Sequence, residues 1–339
     1  MAVSCSDNLI LDDSDENVGG ISYFSGRYGW ACDNVRNYEV VLADGNIVNA
    51  SPISNPDLYW ALRGGSGTNF GIVSRFDLAT FEQGLLWGGG RYYSMSTNLS
   101  LADAFANFNE AAPTDPYAHL YIAFVHAQGS YIAISGPAYG KPVANPPIFD
   151  ELSAIPHLMD ATSIANMSTL SVELNQTAYL RETFRTVTFK NSAPLIKKIT
   201  EIFVEEVNPI LSIPGLIPAF AFQPISLNII ERMAQNGGNA LGLTPEDGPL
   251  MLVNLNFGWS NAEDDERVHQ ATSRFLERSV ALAKDMDLHH RFIYMNYATL
   301  DQDVFAGYGE ENHKRLKRVQ EKYDPEGVFR SLQPGYFKL

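Results

Sequence analysis

Residues 19–81 constrain the fold more than any other part of this 339-residue chain. Glycines cluster at both ends of the segment, and at the first end Gly19, Gly20 and Gly26 let the backbone take positive φ and approach a ligand closely. Between the clusters the residue pattern predicts a fixed order of elements: a hairpin, a short helix, a glycine loop and a strand. We therefore expect a tight, glycine-lined turn at the start of the segment, followed by these elements in this order.

The hairpin and the helix are each predicted from local signals. Two short apolar runs, 38–42 and 47–49, are joined by the turn residues ADGN at 43–46. The segment SNPD at 54–57 then offers an N-cap, a proline suited to the first helical turn and an acid near the positive end of the helix dipole. We therefore expect a short helix over 58–62.

A second glycine loop, GGSGTNFG at 64–71, leaves this helix and enters a predicted strand over 72–81. Its G-x-G-x-x-x-G spacing differs from the Rossmann fingerprint, in which the turn leaves a strand and enters a helix. Because the helix presents its negative end here, an anion at this loop depends on backbone N–H groups. The glycines either approach a ligand or only make tight turns, and the sequence leaves both interpretations open.

This ordered set resembles the second half of the FAD-binding domain of the vanillyl-alcohol-oxidase-like (PCMH-type) flavoproteins, specifically the fungal berberine bridge enzyme-like oxidases. The resemblance rests on GGISYFSGRYGWACDNV, the ADG hairpin, NPDLYWALRGG and NFGIV, in that order. At the other end, residues 294–298, 322–329 and 332–339 are similar to the family's C-terminal signature. The resemblance implies an α+β fold: the C-terminal half of a PCMH-type FAD-binding domain plus an antiparallel-sheet substrate subdomain backed by helices.

The beginning of the chain departs from that family. Members carry a strand-rich subdomain before this point, with a loop whose histidine often bonds covalently to the flavin. Here residues 1–18 are predicted to be an acidic flexible lead. Neither Cys5 nor Cys32 lies where the family places a flavin-linking thiol, and Cys32 is interpreted as a small packed residue. We therefore expect a shortened chain that binds FAD non-covalently.

The resemblance and the composition together predict four parts. Residues 1–18 form the lead, 19–84 a partial FAD-binding domain, 85–290 a substrate-binding α+β subdomain, and 291–339 a segment that returns to the FAD domain. Aromatic and β-branched runs in the third part give the candidate strands 87–95, 119–127, 131–138, 184–189, 250–257 and 290–297. Apolar periodicity gives the candidate helices 101–111, 193–207, 226–234 and 264–286.

The resemblance also implies site residues. In the family the middle subdomain covers one face of the flavin ring, so 250–257 and 290–297 are expected to roof it, with Tyr294, Asn296 and Tyr297 facing the ring. Tyr294 and Tyr297 are the candidate catalytic residues, with packing as the alternative role for both. Motif positions near the pyrophosphate and adenosine portions complete the predicted cofactor-binding set: Gly19, Gly20, Gly26, Asn34, Asn69, Gly71 and Ile72, with Asn296 at the ring.

No catalytic base or metal site is identified from the sequence. His119 and His126 lie on candidate strands, where a lone histidine is more often structural. His289 and His290 are adjacent, so on a strand they point to opposite sides and do not have metal-ligand spacing. The sequence also offers no nucleophile elbow.

Charge and hydropathy exclude several classes of partner. A net charge of -15, from 39 acidic and 24 basic residues, disfavours nucleic acid and anionic membranes. No apolar run approaches the roughly 20 residues of a membrane span, and no signal peptide opens the sequence. The expected partners are a small-molecule substrate and, where a missing subdomain leaves a face uncovered, another chain. Localisation is cytoplasmic by default and extracellular if an N-terminal signal has been lost.

Three functions are consistent with the sequence. The first is an FAD-linked oxidoreductase that oxidises a small organic substrate by hydride transfer to flavin, with reoxidation by oxygen, in fungal secondary metabolism. The second is a flavin-free cyclase or isomerase that keeps the substrate pocket. The third is an inactive truncated remnant, whose uncovered apolar surface would promote association.

Overall fold

The computed structural model describes residues 19–173, 181–333 and 335–339. The predicted acidic lead, with Cys5, lies outside these described residues. The chain divides into two compact units. Within the described ranges, the first contains residues 19–83 together with Asn228–Glu246 and Arg291–Leu339, and the second contains Gly84–Leu227 and Asp247–His290. Sequence analysis assigned 228–246 to the middle region, whereas the structure places that segment in the first unit.

Strands occur in both units. They are β1 Val35–Val41, β2 Ile47–Ala50, β3 Ile72–Leu78, β4 Leu86–Gly88, β5 Arg91–Ser94, β6 Ala118–His119, β7 Ile122–Ala127, β8 Ser130–Ser135, β9 Ala138–Tyr139, β10 Met159–Asp160, β11 Ser163–Ala165, β12 Arg181–Lys190, β13 Ile217–Ile225, β14 Leu250–Trp259 and β15 His289–His290.

Helices of very different length accompany them. They are α1 Ser25–Tyr28, α2 Pro56–Leu62, α3 Asn98–Ala111, α4 Asp150–Ser153, α5 Met167–Glu173, α6 Ala193–Val207, α7 Leu227–Met233, α8 Asp265–Asp285, α9 Val304–Gly307, α10 Glu310–Tyr323 and α11 Val328–Leu332.

The first unit contains the predicted hairpin and short helix. β1 pairs antiparallel with β2 and with β3, which gives the strand order β2-β1-β3. Pro56 opens α2, and the five residues from Leu58 to Leu62 are all buried. The predicted sequence of hairpin, helix, glycine loop and strand is therefore confirmed, with β3 ending at Leu78 instead of 81.

The second unit is built on an antiparallel eight-stranded sheet of order β10-β5-β8-β7-β13-β14-β12-β15. Its hydrophobic core packs one face of that sheet against α3, α6 and α8, with Phe203, Phe220 and Phe275 among the core residues. A separate four-stranded sheet has the order β11-β4-β9-β6. The α+β architecture, with an antiparallel sheet backed by helices, is as the sequence predicted.

The long helices of this unit follow their local signals. Sequence analysis predicted 193–207, and α6 spans the same residues, with the Ser192 hydroxyl accepting from the Leu195 amide at 3.3 Å. The predicted helix 264–286 is α8, whose acidic first turn includes Asp265 and Glu266. Predictions 101–111 and 226–234 correspond to α3 and α7 with small shifts at their ends.

Three predicted strands are corrected by the structure. The prediction 87–95 is broken at Gly89, whose φ of 135° turns the chain, so β4 and β5 belong to different sheets. The predictions 119–127 and 131–138 are divided in the same way into β6 and β7 and into β8 and β9. Apolar runs alone do not show where a chain crosses from one sheet to another.

Sequence analysis missed β13, which lies in the middle of the large sheet between β7 and β14. Pro218 and Pro224 obscured it, because proline argues against a central strand. Both prolines lie outside Ala219–Phe222, the stretch that pairs with β7, so they leave that ladder intact.

Neither a membrane-spanning helix nor a metal-binding cluster is found among the described residues. Within the described ranges, every helix is too short or too polar to serve as a membrane span. In the same part of the chain, no group of three or more histidine, cysteine or acidic side chains is arranged to hold a metal ion.

Candidate functional site around the first glycine turn

The first glycine turn lies against an aromatic side chain from the far end of the sequence. Gly19 has a φ of 140° and Gly20 a φ of 85°, in the region that favours glycine. A Cβ atom on Gly19 would lie 2.7 Å from Cε2 of Tyr294 and 3.1 Å from Cε3 of Trp30. Only glycine fits at this position, because no room remains for a methyl group.

The hydroxyl of Tyr294 holds the turn. It accepts a hydrogen bond from the Gly20 amide at 2.9 Å, from the Ile21 amide at 3.3 Å and from Nδ2 of Asn296 at 3.0 Å. The Tyr294 side chain is 1% exposed, so these bonds form away from bulk water. One phenol oxygen thereby joins residues that are more than 270 positions apart in the sequence.

The segment that supplies Tyr294 is not the predicted strand. Pairing in β15 ends at His290, and Met295–Tyr297 form a turn of 3-10 helix. The prediction that 290–297 is a strand, with Tyr294 and Tyr297 alternating along it, is therefore wrong. The two rings instead contact each other edge to face at 4.9 Å, and both are buried.

Aromatic packing explains why a segment rich in strand-forming residues folds irregularly. The Trp30 ring lies 5.0 Å from that of Tyr294 and 6.0 Å from that of Phe292. These contacts bind the C-terminal segment to the turn region instead of extending the pairing with β12. The indole Nε1 of Trp30 is buried and has no hydrogen-bond partner among the described residues.

A buried polar network lies directly behind the turn. The backbone amide of Trp30 donates to the Asp33 carboxylate at 3.0 Å, and Nδ2 of Asn239 donates to it at 2.7 Å. Asp33 is 2% exposed, and burial raises its pKa to about 6 against these bonds and the Arg63 charge, which lower it. Burial and the neighbouring Asp33 carboxylate also raise the pKa of the Cys32 thiol.

Arg63 anchors the same network from the end of α2. Its side chain is fully buried and donates to the carbonyls of Gln235 and Asn236, each at 3.1 Å, and to that of Gly238. The guanidinium also stacks over the Tyr59 ring at 4.3 Å. Residues 235–238, predicted only as a loop, thus supply three backbone carbonyls to one buried guanidinium.

Sequence analysis did not identify Asp33, Arg63 or Asn239 as site residues. A signal was present for Asp33, an acid that directly follows the apolar run Trp30-Ala31-Cys32. For Arg63 and Asn239 the sequence gave none, because their partners are distant along the chain.

The remaining predicted cofactor residues hold backbone in this structure. Nδ2 of Asn34 donates to the carbonyls of Tyr28 at 3.0 Å and Trp30 at 2.9 Å. Nδ2 of Asn69 donates to the carbonyls of Gly65 at 3.0 Å and Phe337 at 3.1 Å. Both side-chain amides therefore stabilise the local backbone, and their contact with a cofactor stays a prediction.

Glycines 26 and 71 and the neighbouring Ile72 differ from one another. Gly26 lies in α1, and its carbonyl accepts from Nδ2 of Asn228 at 2.9 Å. A Cβ on Gly71 would lie 2.5 Å from Cγ1 of Val40, so packing against β1 already requires glycine there. Ile72 is 56% exposed at the start of β3. Contact of these three residues with FAD stays a prediction.

The structure brings Gly19, Gly20 and Asn296 together around Tyr294, although the resemblance assigned them to different portions of FAD. The Gly20, Ile21 and Asn296 donors are uncharged and converge on one oxygen acceptor. The flavin ring and the pyrophosphate of FAD both present oxygen acceptors of this kind. Because the Tyr294 hydroxyl already accepts from these three donors, direct contact of the turn with an oxygen of FAD stays a prediction.

Comparison with known proteins shows what this chain is similar to. Residues 293–334 match the family model described as berberine and berberine like. Over 337 residues the chain is 42% identical to the FAD-dependent monooxygenase tpcD of Cochliobolus heterostrophus, covering 95% of this chain and 65% of that protein. It is 33% identical over 340 residues to the FAD-dependent monooxygenase elcE of Phaeosphaeria nodorum, covering 94% of this chain and 97% of that protein.

Solved structures share the fold. A carbohydrate oxidase from Microdochium nivale aligns with a TM-score of 0.72 at 23% identity, over 93% of this chain and 68% of that one. A berberine bridge enzyme variant described as a reticuline dehydrogenase aligns with a TM-score of 0.72 at 15% identity, over the same shares. At these identities the likeness concerns the fold alone. The chain spans 65% of the length of tpcD and of the FAD-dependent monooxygenase FUP4 of Fusarium proliferatum.

Proposed function

Because the chain belongs to the fungal, berberine bridge enzyme-like family of FAD-dependent oxidoreductases, we propose that it oxidises a small organic molecule with FAD as its redox cofactor. We place this reaction in fungal secondary metabolism as a tailoring step. FAD is bound non-covalently in this proposal. The substrate loses a hydride and a proton, and molecular oxygen is the final electron acceptor.

One observation carries the proposal. The two ends of the family signature, the glycine turn at 19–21 and the segment that contains Tyr294, form a single hydrogen-bonded cluster in the first unit. The family model covers Tyr294 and Asn296 within 293–334. The two stretches that carry the resemblance in sequence are therefore joined in space, which supports the proposal.

The residues of the chain have separate roles in this proposal. Tyr294 fixes the glycine turn through the Gly20 and Ile21 amides, and Asn296 fixes the phenol. Tyr297 packs against Tyr294 and limits its movement. Bound FAD supplies the acceptor for a hydride from a substrate carbon. Positioning of cofactor and substrate is the contribution of the protein.

Flavin retention tests the proposal directly. The full chain is incubated with FAD, desalted and scanned from about 300 to 550 nm, where flavin absorbs. We expect close to one flavin per chain. Candidate substrates are then screened by oxygen consumption. A folded protein that stays colourless contradicts the proposal.

The Tyr294→Phe variant shows whether the cluster itself binds the cofactor. Loss of the hydroxyl leaves the Gly20 and Ile21 amides without this acceptor, and we expect FAD affinity to fall about tenfold. Tyr336→Phe, at an exposed position in the same unit, is the control and should bind FAD like the wild type. Equal affinity in all three proteins would exclude this role for Tyr294.

A flavin-free cyclase or isomerase is the second candidate, and one observation favours it. The amides that would face a cofactor oxygen already donate to Tyr294. A protein whose turn is satisfied internally does not need a ligand there. For this candidate FAD retention is absent in both tyrosine variants and in the wild type.

A further inference from the structure

The first unit contains a cleft formed by two stretches near the C-terminal end of the sequence. Residues 300–305 supply one part of its lining, and residues 330–333 and 335–338 supply the other. Its volume of about 490 Å³ lies within the range of roughly 300–1,000 Å³ that is usual for small-molecule sites. The predicted cofactor-binding residues do not line this cleft. It is therefore a candidate site for a further ligand.

Apolar side chains make up much of the lining, among them Leu300, Val304, Phe305 and Phe337. Val304 and Phe305 belong to α9 and are 1% and 4% exposed, so the surrounding structure holds them in place. Leu300, by contrast, is 71% exposed. A ligand with an apolar body would cover part of this surface, and removal of apolar area from water favours binding.

Two positively charged side chains, Arg330 and Lys338, line the same cleft. Neither of them forms an ion pair with an acid in the part of the chain that the structure describes. Arg330 is exposed. Nζ of Lys338 donates only to backbone carbonyls, those of Thr68 at 3.1 Å and Phe329 at 3.3 Å. Burial lowers the pKa of the Lys338 ammonium, since lost hydration disfavours its charge.

One acid, Asp303, also lines the cleft, and it already has a partner. Its Oδ1 accepts from the Ala306 amide at 3.0 Å and caps the first turn of α9. The described lining therefore contains more positive than negative side chains, although the chain as a whole has a net charge of -15. Such a lining is complementary to an anion and not to a cation.

We propose that this cleft binds an organic acid, whose carboxylate is held by Arg330 and Lys338 and whose apolar body lies against Val304 and Phe305. The planar guanidinium of arginine can donate two parallel hydrogen bonds to one carboxylate, and the lysine ammonium adds a further charge-assisted bond. This ligand goes beyond the proposed function, and its binding does not depend on that function.

Three matched probes test the charge that the cleft prefers. They are phenylacetate, phenethyl alcohol and phenethylammonium, each titrated against the full chain and followed by ligand-observed NMR. We expect phenylacetate to bind at least about tenfold more tightly than either of the other two. An alcohol or ammonium probe that binds as tightly as phenylacetate overturns the proposal, and so does the absence of phenylacetate binding.

Variants of the two cations test their assignment. Arg330→Gln and Lys338→Gln each remove one charge and keep a hydrogen-bond donor. We expect each to lower the affinity for phenylacetate about tenfold and to leave that for phenethyl alcohol unchanged. Arg318→Gln is the matched control, because Arg318 is exposed in α10 of the same unit and does not line the cleft. If the first two variants bind phenylacetate like the control, the assignment of both cations is wrong.

Competition experiments distinguish an organic acid from other anions. Inorganic phosphate that displaces phenylacetate at the same concentration as phenylacetate itself would show that the cleft selects charge alone, which contradicts the proposed ligand class. Displacement by FAD would indicate that the cleft takes a phosphate of that cofactor, and would overturn a separate ligand. Retention of phenylacetate in the presence of both competitors is the expected result.

The outcome is separable from that of the proposed function. Flavin content is read from absorption at about 450 nm, independently of the NMR titration. Selective phenylacetate binding by a chain without flavin would support the cleft and contradict the redox function. Flavin retention without phenylacetate binding would do the reverse.

Discussion

Asp33 shows how a single residue can couple the site to pH. Its carboxylate is 2% exposed and accepts from Trp30 and Asn239, next to the glycine turn. Burial raises its pKa from 3.8 to about 6, although those bonds and Arg63 favour the charged form. The protonated form is therefore favoured more strongly in the folded than in the unfolded chain.

The sign of the resulting pH dependence follows from that difference. The stabilisation that Asp33 contributes is fully present below its unfolded pKa of 3.8 and is lost as the pH rises through about 6. Against an Asp33→Asn variant, which does not titrate, the wild type should lose about 1 kcal/mol of unfolding free energy between about pH 5 and about pH 7.5.

Urea unfolding of both proteins at the two pH values measures this difference. Asp44→Asn, which removes one carboxylate at an exposed position in the turn between β1 and β2, serves as the control variant. A difference between wild type and Asp33→Asn that is constant with pH contradicts the assignment.

Individual site residues could be predicted from the sequence only where they belong to a recognisable motif. Tyr294 and Asn296 were identified by the C-terminal signature, whereas the partners of Tyr294, Gly20 and Ile21, lie more than 270 positions away. Nothing local indicates such a bond. The same is true of Arg63. In the sequence it is only one residue at the end of a helix motif, and nothing local indicates its buried hydrogen bonds.

At the level of elements, Arg63 connects the end of α2 to the loop that follows α7. It donates to the carbonyls of Gln235, Asn236 and Gly238 from a fully buried position. The planar guanidinium serves several acceptors at once, whereas a lysine ammonium is a compact charge on a flexible stem. Because burial of a poorly paired charge is costly, this position requires the geometry of arginine as well as its positive charge.

We expect Arg63→Lys to lower the free energy of unfolding by about 3 kcal/mol. Limited proteolysis should then cut first within residues 235–238. Arg36→Lys is the matched control, because Arg36 is exposed and meets the same loop at Oδ1 of Asn236, 3.5 Å away. Its cost should stay below about 0.5 kcal/mol. Equal costs for the two substitutions would show that the buried contacts do not hold the loop.

Elements were predictable where their signals are local. α6 has a serine cap, a proline in its first turn and a regular apolar face, and its predicted bounds match the structure. β13 was missed because its prolines contradict a local rule that only the sheet register explains. The prediction of a strand over 290–297 was wrong because aromatic contacts with Trp30, distant in sequence, take the place of strand pairing.

At the scale of the whole molecule, the predicted FAD-binding residues all lie in one of the two units. The glycine turn, Asn34, Asn69, Gly71 and Asn296 belong to the first unit. The proposed function therefore assigns FAD binding to that unit. A ligand that binds only the folded form of one unit stabilises that unit by mass action.

Hydrogen exchange followed by mass spectrometry tests this division. With FAD at about 100 times its dissociation constant, stabilisation approaches 2.7 kcal/mol, or about a hundredfold slower exchange where amides open only by unfolding. We expect that protection in peptides covering 19–41 and 291–298, and none in α6 or in the strands of the second unit. Protection of the second unit alone would contradict the assignment of FAD to the glycine turn, because all the predicted FAD-binding residues lie in the first unit.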